Sequence, residues 1–371
     1  MNAVILAGGV GMRLWPMSRS KKPKQFFNVI GNEPLIRDTY RRLLRFFPAE
    51  KIFLSISPGF EAHLHEHFPD IPADHIFIEP EKRDTGPAMG YVAALLELQD
   101  PDEPLVFIPA DHYIGDEELF LRCLAVGEKL VRETGKLVDI GIKPTFPSTV
   151  LGYTKIAERI RTEGGIEVFA FAGHREKPPY ETAKKFLEDG SYLWHANYYM
   201  WTPRRFLEAI GRYHPEAGKI LRAIQSLCHS EGAERLKNLE GSFAGAQDDI
   251  SSLYSALPKI SFDYAVTEKM NVEDVLIIRG DFGWSDIGTW DTLYDRLADG
   301  EKNLVKGQCV TIDTNGSLIY GPADKLITVV GLDNIVVVDT GDALLVCRRD
   351  EAQRVKDLVV LLTQEGHDRY L

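Results

Sequence analysis

The chain has 371 residues, of which 44% are hydrophobic and 26% charged, so it is long enough to bury a large core. At roughly 150 residues per domain, this length predicts two domains. The net charge is −12, with 43 lysines and arginines against 55 aspartates and glutamates. This balance argues against binding to nucleic acid or to an anionic membrane, because both require a basic face. Any anionic substrate must therefore be held by a local group of cations.

The cysteine pattern and the N-terminus indicate the compartment. Four cysteines stand far apart in the chain, without a Cys-x-x-Cys pair: Cys123, Cys228, Cys309 and Cys347. Such usage is typical of reduced thiols in a cytoplasmic protein. The apolar residues 3–7 are too few for a signal peptide, and no run approaches the ~18 apolar residues of a membrane span. We therefore expect a soluble cytoplasmic protein.

The first part of the chain alternates predicted strands with predicted helices. Strands are expected at residues 2–6, 51–56, 76–78, 105–108 and 137–142, and helices at residues 34–46, 59–68, 88–98 and 119–132. Thr85 is a candidate N-cap for the third helix. The alternation predicts an α/β fold with a mostly parallel, Rossmann-like sheet and helices on both faces. Ligands of such sheets bind beyond the carboxyl ends of the strands.

Beyond residue 142 the pattern changes twice. Residues 152–206 are rich in predicted strands, chiefly 167–172 and 193–200, and helices are expected to dominate residues 203–296. After about residue 300, short apolar runs separated by turn dipeptides predict a small β-roll or β-helix. Its strands are expected at residues 309–313, 318–320, 326–330, 335–339 and 343–347. A last helix with apolar residues at helical spacing should dock on the body of the protein.

A glycine-rich loop follows the first predicted strand, which ends at Leu6. It has three glycines in four positions: Gly8, Gly9 and Gly11. In such a turn, backbone N–H groups can converge on an anion because no Cβ holds the ligand away. Arg13 and Lys24 add full positive charges, so the loop suits a polyphosphate. It is neither a dinucleotide fingerprint, since Leu14 replaces the third glycine, nor a P-loop, since Gly-Lys-Ser/Thr is absent.

The whole string, Gly-Gly-x-Gly-x-Arg-Leu-x-Pro followed by Ser18 and Pro23-Lys24, resembles the signature of the sugar-1-phosphate nucleotidyltransferases. Trp15 and Gln25-Phe26 resemble the mannose-1-phosphate guanylyltransferases within that family. The resemblance implies transfer of GMP from GTP to mannose 1-phosphate, which forms GDP-mannose and pyrophosphate with the help of Mg²⁺. It also implies a catalytic domain over residues 1–300, a short β-helical domain over residues 301–371 that ends in a helix, and a homodimer.

Two alternatives stay open. The enzyme could use another sugar 1-phosphate or another nucleoside triphosphate, or the chain could be a non-catalytic, nucleotide-binding regulatory subunit of the same fold. A silent subunit is expected to lose the cations and carboxylates of the site. This chain retains them: Arg13, Lys24, Asp111, Lys177 and Asp286.

For the nucleotide, the resemblance implies two binding segments. The glycine loop is expected to hold the triphosphate, with catalytic cations Arg13 and Lys24 and with contacts from Leu6, Gly8, Gly9 and Gly11. A second segment resembles the base-reading segment of the guanylyltransferases, and its candidate residues are Glu79, Arg83 and Thr85. In that segment Asp84 and Gly86 replace the commoner Asn and Ala. Thr85 could also be no more than a helix cap.

Two aspartates are the candidate Mg²⁺ ligands. Asp111 ends a buried strand in Pro-Ala-Asp-His, and Asp286 lies in Gly-Trp-Ser-Asp-Ile-Gly-Thr-Trp. Both segments resemble those of the family, and carboxylates are the ligands that Mg²⁺ prefers. Each aspartate could instead be an ordinary cap or turn residue, because Asp is favoured at both.

The sugar site is expected to combine three segments. Glu176-Lys177-Pro178 resembles a motif in which the acid holds sugar hydroxyls and the lysine holds the sugar phosphate, although the three residues alone could form a surface turn. Gly152 resembles part of a Gly-Tyr-Gly-Tyr segment near the sugar. Asn197 occupies the sugar-contact strand, where Tyr198-Tyr199 replaces the usual Ser-Gly. Strand alternation predicts that at most one of these two tyrosines meets the ligand.

Overall fold

The computed structural model describes residues 1–29, 31, 33–230, 244–300 and 302–371. The chain forms two compact units that are interleaved in sequence. The first unit comprises Met1–Gly8, Tyr40–Ala110 and Ile114–Trp284. The second comprises Gly9–Thr39, Asp111–Tyr113 and Ser285–Leu371. Most of the glycine-rich loop therefore belongs to the same unit as the C-terminal strands, and the domain boundary after residue 300 stays a prediction.

The first unit is built around one ten-stranded sheet. Its strands are β1 (Asn2–Ala7), β2 (Ile52–Ile56), β3 (Ile76–Ile78), β4 (Leu105–Pro109), β5 (Leu137–Ile142), β6 (Tyr153–Glu163), β7 (Ile166–Arg175), β8 (Tyr192–His195), β9 (Met200–Trp201) and β10 (Val275–Gly280). They lie in the order β10-β7-β6-β8-β5-β9-β4-β1-β2-β3. Strands β1 to β4 pair in parallel, as do β5 and β10, whereas β6 to β9 add antiparallel pairs.

Helices connect and surround these strands. They are α1 (Leu35–Leu43), α2 (Glu61–His67), α3 (Thr85–Gln99), α4 (Glu117–Thr134), α5 (Tyr180–Asp189), α6 (Pro203–Tyr213), α7 (Pro215–Ser230), α8 (Ala244–Ser255) and α9 (Phe262–Ala265). The predicted α/β fold with a mostly parallel sheet is confirmed. Within the described ranges, none of the helices combines the length and the apolar character that crossing a membrane requires.

Short polar signals set the helix ends. The Asp116 side chain accepts a hydrogen bond from the backbone N–H of Leu119 at the start of α4, and Gly135 ends this helix in the left-handed conformation. At the start of α3 the capping prediction is wrong by one residue. Asp84 is the N-cap, because its carboxylate accepts from the N–H of Thr85 at 2.7 Å. Thr85 is already the first helical residue.

Two predicted elements differ from the structure. The strand predicted over residues 193–200 is interrupted after His195, because Asn197 has φ +59°, a left-handed value that strand residues do not adopt. The region predicted as helical over residues 203–296 contains a strand, β10. Its sequence, VLIIRG, is a short and almost wholly buried run that pairs with β5 and β7. A run buried between two other strands carries no polar alternation, so its period does not distinguish strand from helix.

The second unit contains a helically wound set of short strands. These are β11 (Leu304–Lys306), β12 (Gln308–Ile312), β13 (Leu318–Tyr320), β14 (Leu326–Val330), β15 (Ile335–Asp339) and β16 (Leu344–Arg348), with helices α10 (Trp290–Leu297) and α11 (Val355–Gln364). Strands β11, β13 and β15 are parallel neighbours in one sheet, while β12 and β14 pair in parallel in another. Because the successive strands β11 to β15 alternate between the two sheets, the predicted β-helical character is confirmed.

The core of the second unit includes the segment that follows the glycine loop. Leu14 and Trp15 are buried in one apolar cluster with residues of α10, α11 and the C-terminal strands. The indole N–H of Trp15 donates to the carbonyl oxygen of Tyr370 at 2.8 Å. The indole N–H of Trp290 donates in turn to the carbonyl oxygen of Trp15 at 3.0 Å. The C-terminal part of the chain therefore fixes the position of the loop's flank.

The crossing of α6 and α7 gives a stability prediction with an internal control. A Cβ added at Gly218 would lie 2.5 Å from the Cα of Gly211, whereas a Cβ added at Gly211 would meet no atom within 4 Å. Gly218→Ala should therefore force the helices apart and lower the free energy of unfolding by about 1–3 kcal/mol. Gly211→Ala should be neutral or stabilising, because Ala exceeds Gly in helix propensity by about 1 kcal/mol. Thermal denaturation of both variants checks this, and equal losses would contradict the close crossing.

Candidate functional site

The glycine loop is shaped by one contact that only glycine permits. Gly11 has φ +76°, and a Cβ added there would lie 2.7 Å from the Cβ of Lys24. The carbonyl oxygen of Val10 accepts hydrogen bonds from the backbone N–H of Lys24 at 3.2 Å and from the hydroxyl of Ser18. The loop is thus closed on the segment that carries Lys24, as the predicted role of both segments requires.

Lys24 is buried, with only 4% of its side chain exposed. Its ammonium lies 2.8 Å from a carboxylate oxygen of Asp111 and donates to the carbonyl oxygens of Asp286 at 2.6 Å and Ile287 at 3.1 Å. Ile287 has φ +44°, a left-handed conformation that is strained for a β-branched residue. That turn directs two successive carbonyl oxygens at one ammonium group, so a buried positive charge has three oxygen partners.

The two predicted metal ligands lie in the same unit and influence each other. Burial opposes ionisation of Asp111, but the charge and hydrogen bond of Lys24 together with the charge of His112 hold the pKa of this carboxyl below its usual value. Burial raises the pKa of Asp286, the Lys24 charge partly offsets this, and repulsion from Asp111 adds to the rise. The charge of Arg13 also acts on Asp286. The structure therefore brings together Arg13, Lys24, Asp111 and Asp286.

This donor set fits a divalent cation. Two carboxylates that repel each other are oxygen ligands of the kind that Mg²⁺ prefers, and one third of the Asp111 side chain (33%) is exposed. A Cβ at Gly288 would lie 2.5 Å from an Asp286 carboxylate oxygen, so glycine at this position leaves that carboxylate undisplaced.

In the first unit, the predicted base-reading residue Glu79 lies close to Gly8. A Cβ added at Gly8 would be 3.0 Å from the hydroxyl of Ser57 and 3.3 Å from Oε1 of Glu79. The Tyr254 hydroxyl donates to Oε2 of Glu79 at 2.9 Å. Burial raises the pKa of Glu79 to about 7, although the hydrogen bond from Tyr254 and the charge of Lys82 oppose the rise.

Arg83 and Thr85 bind a neighbouring stretch of main chain. Arg83 donates to the Glu81 carboxylate at 2.8 Å and to the carbonyl oxygen of Leu257 at 2.6 Å. The Thr85 hydroxyl accepts from the backbone N–H of Phe262 at 3.0 Å. These two side chains therefore hold residues 257–262 against the start of α3, and their roles toward a nucleotide stay predictions.

Three predicted sugar-site residues are adjacent in the first unit. The Lys177 ammonium forms an ion pair with the Glu176 carboxylate, and 51% of the Lys177 side chain remains exposed. A Cβ added at Gly152 would overlap Oε2 of Glu176 and lie 2.8 Å from the His174 ring, so a side chain there would displace both groups. The carbonyl oxygen of Gly152 accepts from the backbone N–H of His195 at 2.9 Å. Glu176, Lys177 and Gly152 are thus joined to the strand end that precedes Asn197.

A buried polar network, absent from the sequence predictions, lies behind these residues. Nδ1 of His195 is 2.8 Å from an Asp139 oxygen, and Nε2 is 3.1 Å from Asp263 and 3.1 Å from Oδ1 of Asn197. Tyr199 donates to Asp263 at 2.7 Å. Burial opposes ionisation of Asp263, but the charge of His195 holds its pKa well below the usual value. Burial also opposes the charge on His195, yet the two carboxylates hold its pKa well above the usual value.

His174 links this network to the Glu-Lys-Pro motif. Its Nδ1 is 3.1 Å from the Thr154 hydroxyl, and its Nε2 is 3.5 Å from Glu176 and 3.9 Å from Asp263. Two residues of this network could have been singled out from the sequence. Asp139 is an acid within an otherwise apolar strand, and Asp263 lies in a Phe-Asp-Tyr-Ala segment that resembles the family. Neither signal alone identifies the partner.

Tyr198 and Tyr199 are residues of the protein core. Both side chains are fully buried in the described structure. Tyr198 packs on the rings of Phe120 and Phe282 at 5.2 and 6.3 Å, while Tyr199 binds Asp263. That at most one tyrosine meets the ligand stays a prediction, and the strand on which it was based is absent, because these residues lie between β8 and β9.

Comparison with known proteins adds the family. A model of the nucleotidyl transferase family matches residues 2–303, and one of the mannose-P isomerase/GMP-like β-helix domain matches residues 307–362. The chain is 31% identical to the Escherichia coli mannose-1-phosphate guanylyltransferase over 372 residues, which cover 99% of this chain and 76% of that protein. It is 34% identical to the alginate biosynthesis protein AlgA of Pseudomonas syringae pv. tomato, over 99% of this chain and 72% of that protein.

A solved structure is similar over nearly the full length. It is a crystal structure from Thermus thermophilus, described as a mannose-1-phosphate geranyltransferase, with a TM-score of 0.83 and 31% identity. The match covers 98% of this chain and 99% of that chain. With a family match over residues 2–303 and relatives this similar across the whole sequence, the chain belongs to the nucleotidyl transferase family, in the branch with a mannose-P isomerase/GMP-like β-helix domain.

Proposed function

We propose that the chain is a Mg²⁺-dependent mannose-1-phosphate guanylyltransferase, which transfers GMP from GTP to mannose 1-phosphate and releases pyrophosphate. The observation that carries the proposal is the grouping around Lys24, where a buried ammonium meets Asp111 and the Asp286 turn behind the glycine loop. The relatives from Escherichia coli and Salmonella muenchen, both named mannose-1-phosphate guanylyltransferase, support the choice of substrates.

The reaction requires the two substrates to be aligned and their phosphate charge to be neutralised. An oxygen of the sugar phosphate attacks the α-phosphorus of GTP, and pyrophosphate leaves in line with it, so the enzyme must hold two polyanions together. The N–H groups of the glycine loop and Arg13 bind the triphosphate. The Lys24 ammonium donates its three protons to Asp111, Asp286 and Ile287, so it acts on the triphosphate through its positive charge. In a chain with a net charge of −12, these local cations decide where a polyanion binds.

Asp111 and Asp286 would hold the Mg²⁺ ion. Their mutual repulsion is a reason for the pair to take up a cation, and Lys24 keeps Asp111 ionised in readiness for it. When bound there, the ion would neutralise phosphate charge in the reaction.

We assign sugar recognition to residues of the first unit. Lys177, with its exposed ammonium, binds the anomeric phosphate that every candidate substrate shares. Glu176 and Asn197 bind ring hydroxyls, and polar contacts of this kind reject the wrong epimer because a mismatch leaves them unpaired. Gly152 leaves the space in which the Glu176 carboxylate lies.

Recognition of the base is proposed for the Glu79 segment. An ionised Glu79 carboxylate can accept hydrogen bonds from the N1–H and the amino group of guanine, which adenine cannot supply in the same arrangement. Arg83 and Thr85 support this segment through their bonds to residues 257–262. Leu6 lies near the end of β1, and Gly8, which follows that strand, is close to Glu79.

We also propose a cytoplasmic homodimer. None of the four cysteines forms a disulfide in the described part of the chain, in line with a reducing compartment. Strands β12 and β14 expose apolar side chains of Val310, Ile312, Leu326 and Val330, and an exposed apolar group of this kind marks an interaction surface. Analytical ultracentrifugation should give twice the mass of the chain.

A substrate grid tests the proposed function. Pyrophosphate release is measured for the four common nucleoside triphosphates with each of several sugar 1-phosphates. GTP with mannose 1-phosphate should be fastest, and glucose 1-phosphate clearly poorer. A tenfold preference for another sugar (about 1.4 kcal/mol) overturns the mannose assignment. GTP binding without turnover of any pair favours the regulatory subunit.

The loop cations should be needed for turnover. Arg13→Ala and Lys24→Ala each remove a charge that stabilises the developing phosphate charge, so each should lower kcat by about 10²–10³. Lys22→Ala is the matched control, because Lys22 lies in the same loop but is exposed and stacks on Phe27. If Arg13→Ala or Lys24→Ala matches the parent at saturating GTP, that residue does not have the proposed role.

The metal assignment predicts a change in Mg²⁺ demand. Asp111→Asn and Asp286→Asn each remove one anionic ligand, so each should raise the Mg²⁺ concentration for half-maximal rate at least tenfold. Asp299 is an exposed aspartate paired with Lys302, so Asp299→Asn should leave that Mg²⁺ concentration unchanged. Unchanged Mg²⁺ titrations in both site variants would rule out the paired ligands.

The raised pKa of Glu79 predicts a pH dependence of nucleotide binding. Below about pH 7 the Glu79 carboxyl is protonated, so GTP must bind with loss of that proton. The Kd for GTP should therefore rise, by up to tenfold for each pH unit, as the pH falls below 7. Because the pKa is raised on folding, the same carboxyl also lowers the stability of the free protein as the pH rises toward 7. Glu79→Gln should bind GTP more weakly and remove this dependence.

Calorimetric Kd values for GTP between pH 5.5 and 8.5 provide the measurement. Parent and Glu79→Gln are compared with the same nucleotide, so titration of the phosphates cancels. ATP is a second control, since it has the same phosphates and another base. Parallel pH profiles for parent and variant would separate Glu79 from base recognition.

A further inference from the structure

His195 ends β8 with a carboxylate at each ring nitrogen. Nδ1 is 2.8 Å from Asp139 and Nε2 is 3.1 Å from Asp263, and 1% of the side chain is exposed. An imidazole nitrogen binds an ionised carboxylate only as an N–H donor. Both nitrogens therefore carry protons, and His195 is a buried cation between two buried anions.

This arrangement determines which way the Asn197 amide points. Nε2 of His195 is 3.1 Å from the Asn197 side-chain oxygen. Because Nε2 is a donor, the amide must turn its oxygen toward His195 and its NH₂ group away from it. The backbone at Asn197, with φ +59°, fixes the residue further, and its side chain is partly exposed. Among the described residues, no hydrogen bond uses that NH₂ group.

A metal ion is the competing explanation for these side chains. His174, Glu176 and Asp263 offer ligand atoms that lie within 4.8 Å of one another. Both carboxylates already have a cationic partner, however, since Lys177 pairs with Glu176 and His195 with Asp263. The Asp263 carboxylate is also almost fully buried and is already held by His195 and Tyr199, so we interpret the cluster as an ion-paired group.

We propose that His195 is a positioning residue of the sugar site, which orients the Asn197 amide so that the site offers the sugar a hydrogen-bond donor at that point. The proposal rests on the proposed function in one respect, which is that the ligand at Asn197 is mannose 1-phosphate. Glu176, on the same network through His174, offers an acceptor. A donor and an acceptor at fixed positions distinguish one arrangement of hydroxyl groups from another.

The charge on His195 can be measured without any substrate. In protein labelled with ¹⁵N-histidine, the His195 signals are identified by their loss in His195→Gln. The groups that face this ring are Asp139, Asp263, His174 and Tyr199. Both ring nitrogens should be protonated at pH 7.5, and one unprotonated nitrogen at that pH overturns the proposal. This result stands even if the proposed function fails.

An isosteric variant tests the orientation of the amide. Asn197→Asp keeps the oxygen that His195 holds and replaces only the NH₂ group with a second oxygen. The KM for mannose 1-phosphate should rise at least tenfold, while the KM for GTP stays within twofold. Equal KM values for mannose 1-phosphate in parent and variant would contradict the donor role.

Sugar analogues test whether the Asn197 amide acts as a hydrogen-bond donor to the sugar. Fluorine can accept weakly but cannot donate, so at one ring position the parent should tolerate a deoxyfluoro mannose 1-phosphate better than the deoxy compound. In Asn197→Asp that order should reverse, because fluorine then meets an anion. If no ring position gives this reversal, Asn197 does not present a donor, whatever the overall substrate preference is.

A matched pair separates positioning from structural support. Asp139→Asn weakens the charge that holds His195 and should raise the KM for mannose 1-phosphate about tenfold without changing the KM for GTP. Tyr199→Phe removes a different hydrogen bond to Asp263 and leaves both carboxylates on His195. It should lower Tm but keep the parent's KM. If both variants lower Tm and leave the KM unchanged, the network is only structural.

Discussion

One buried charge organises the phosphate-binding region. The ammonium of Lys24 is removed from water, so it must be fully paired, and its partners come from separate stretches of chain that end at Asp111, Asp286 and Ile287. Removing one partner of a buried pair typically costs about 3–5 kcal/mol, since the other charge is left uncompensated. The requirement extends to backbone conformation: Gly11 must lack a Cβ for Lys24 to fit, and Ile287 must accept a left-handed φ for its carbonyl to point inward.

Much of the fold and of this region was predictable because the signals are local. The buried parallel strands are continuous apolar runs, and their predicted bounds agree with β1 to β5 within a residue. Arg13 and Lys24 stand at fixed distances from three glycines, so their association needs no knowledge of the fold. Strand β10 escaped prediction because its partners, β5 and β7, lie far away in sequence and its own six residues have no distinctive period.

The rest of the candidate sites depends on contacts that no local pattern contains. His195 acquires its charge from Asp139 and Asp263, which lie on separate elements, so neither its protonation nor its hold on Asn197 follows from the sequence around it. The break at Asn197 is also set from outside, since Asn tolerates the left-handed conformation but does not require it. Residues 84, 177, 197 and 287 are all non-glycine positions with positive φ, and all four lie in predicted site segments. Strain of this kind persists only where the surroundings fix it.

The contact between Trp15 and Tyr370 has a consequence for how the protein is made. These residues are 355 positions apart, yet the indole of one donates to the carbonyl of the other. At about 5–20 residues per second, the ribosome adds Tyr370 roughly 20–70 s after Trp15. The flank of the glycine loop is therefore completed only after a stretch 355 positions further along the chain has been made. A nascent chain that stalls in the C-terminal strands has its sheet residues but lacks the support for its glycine loop.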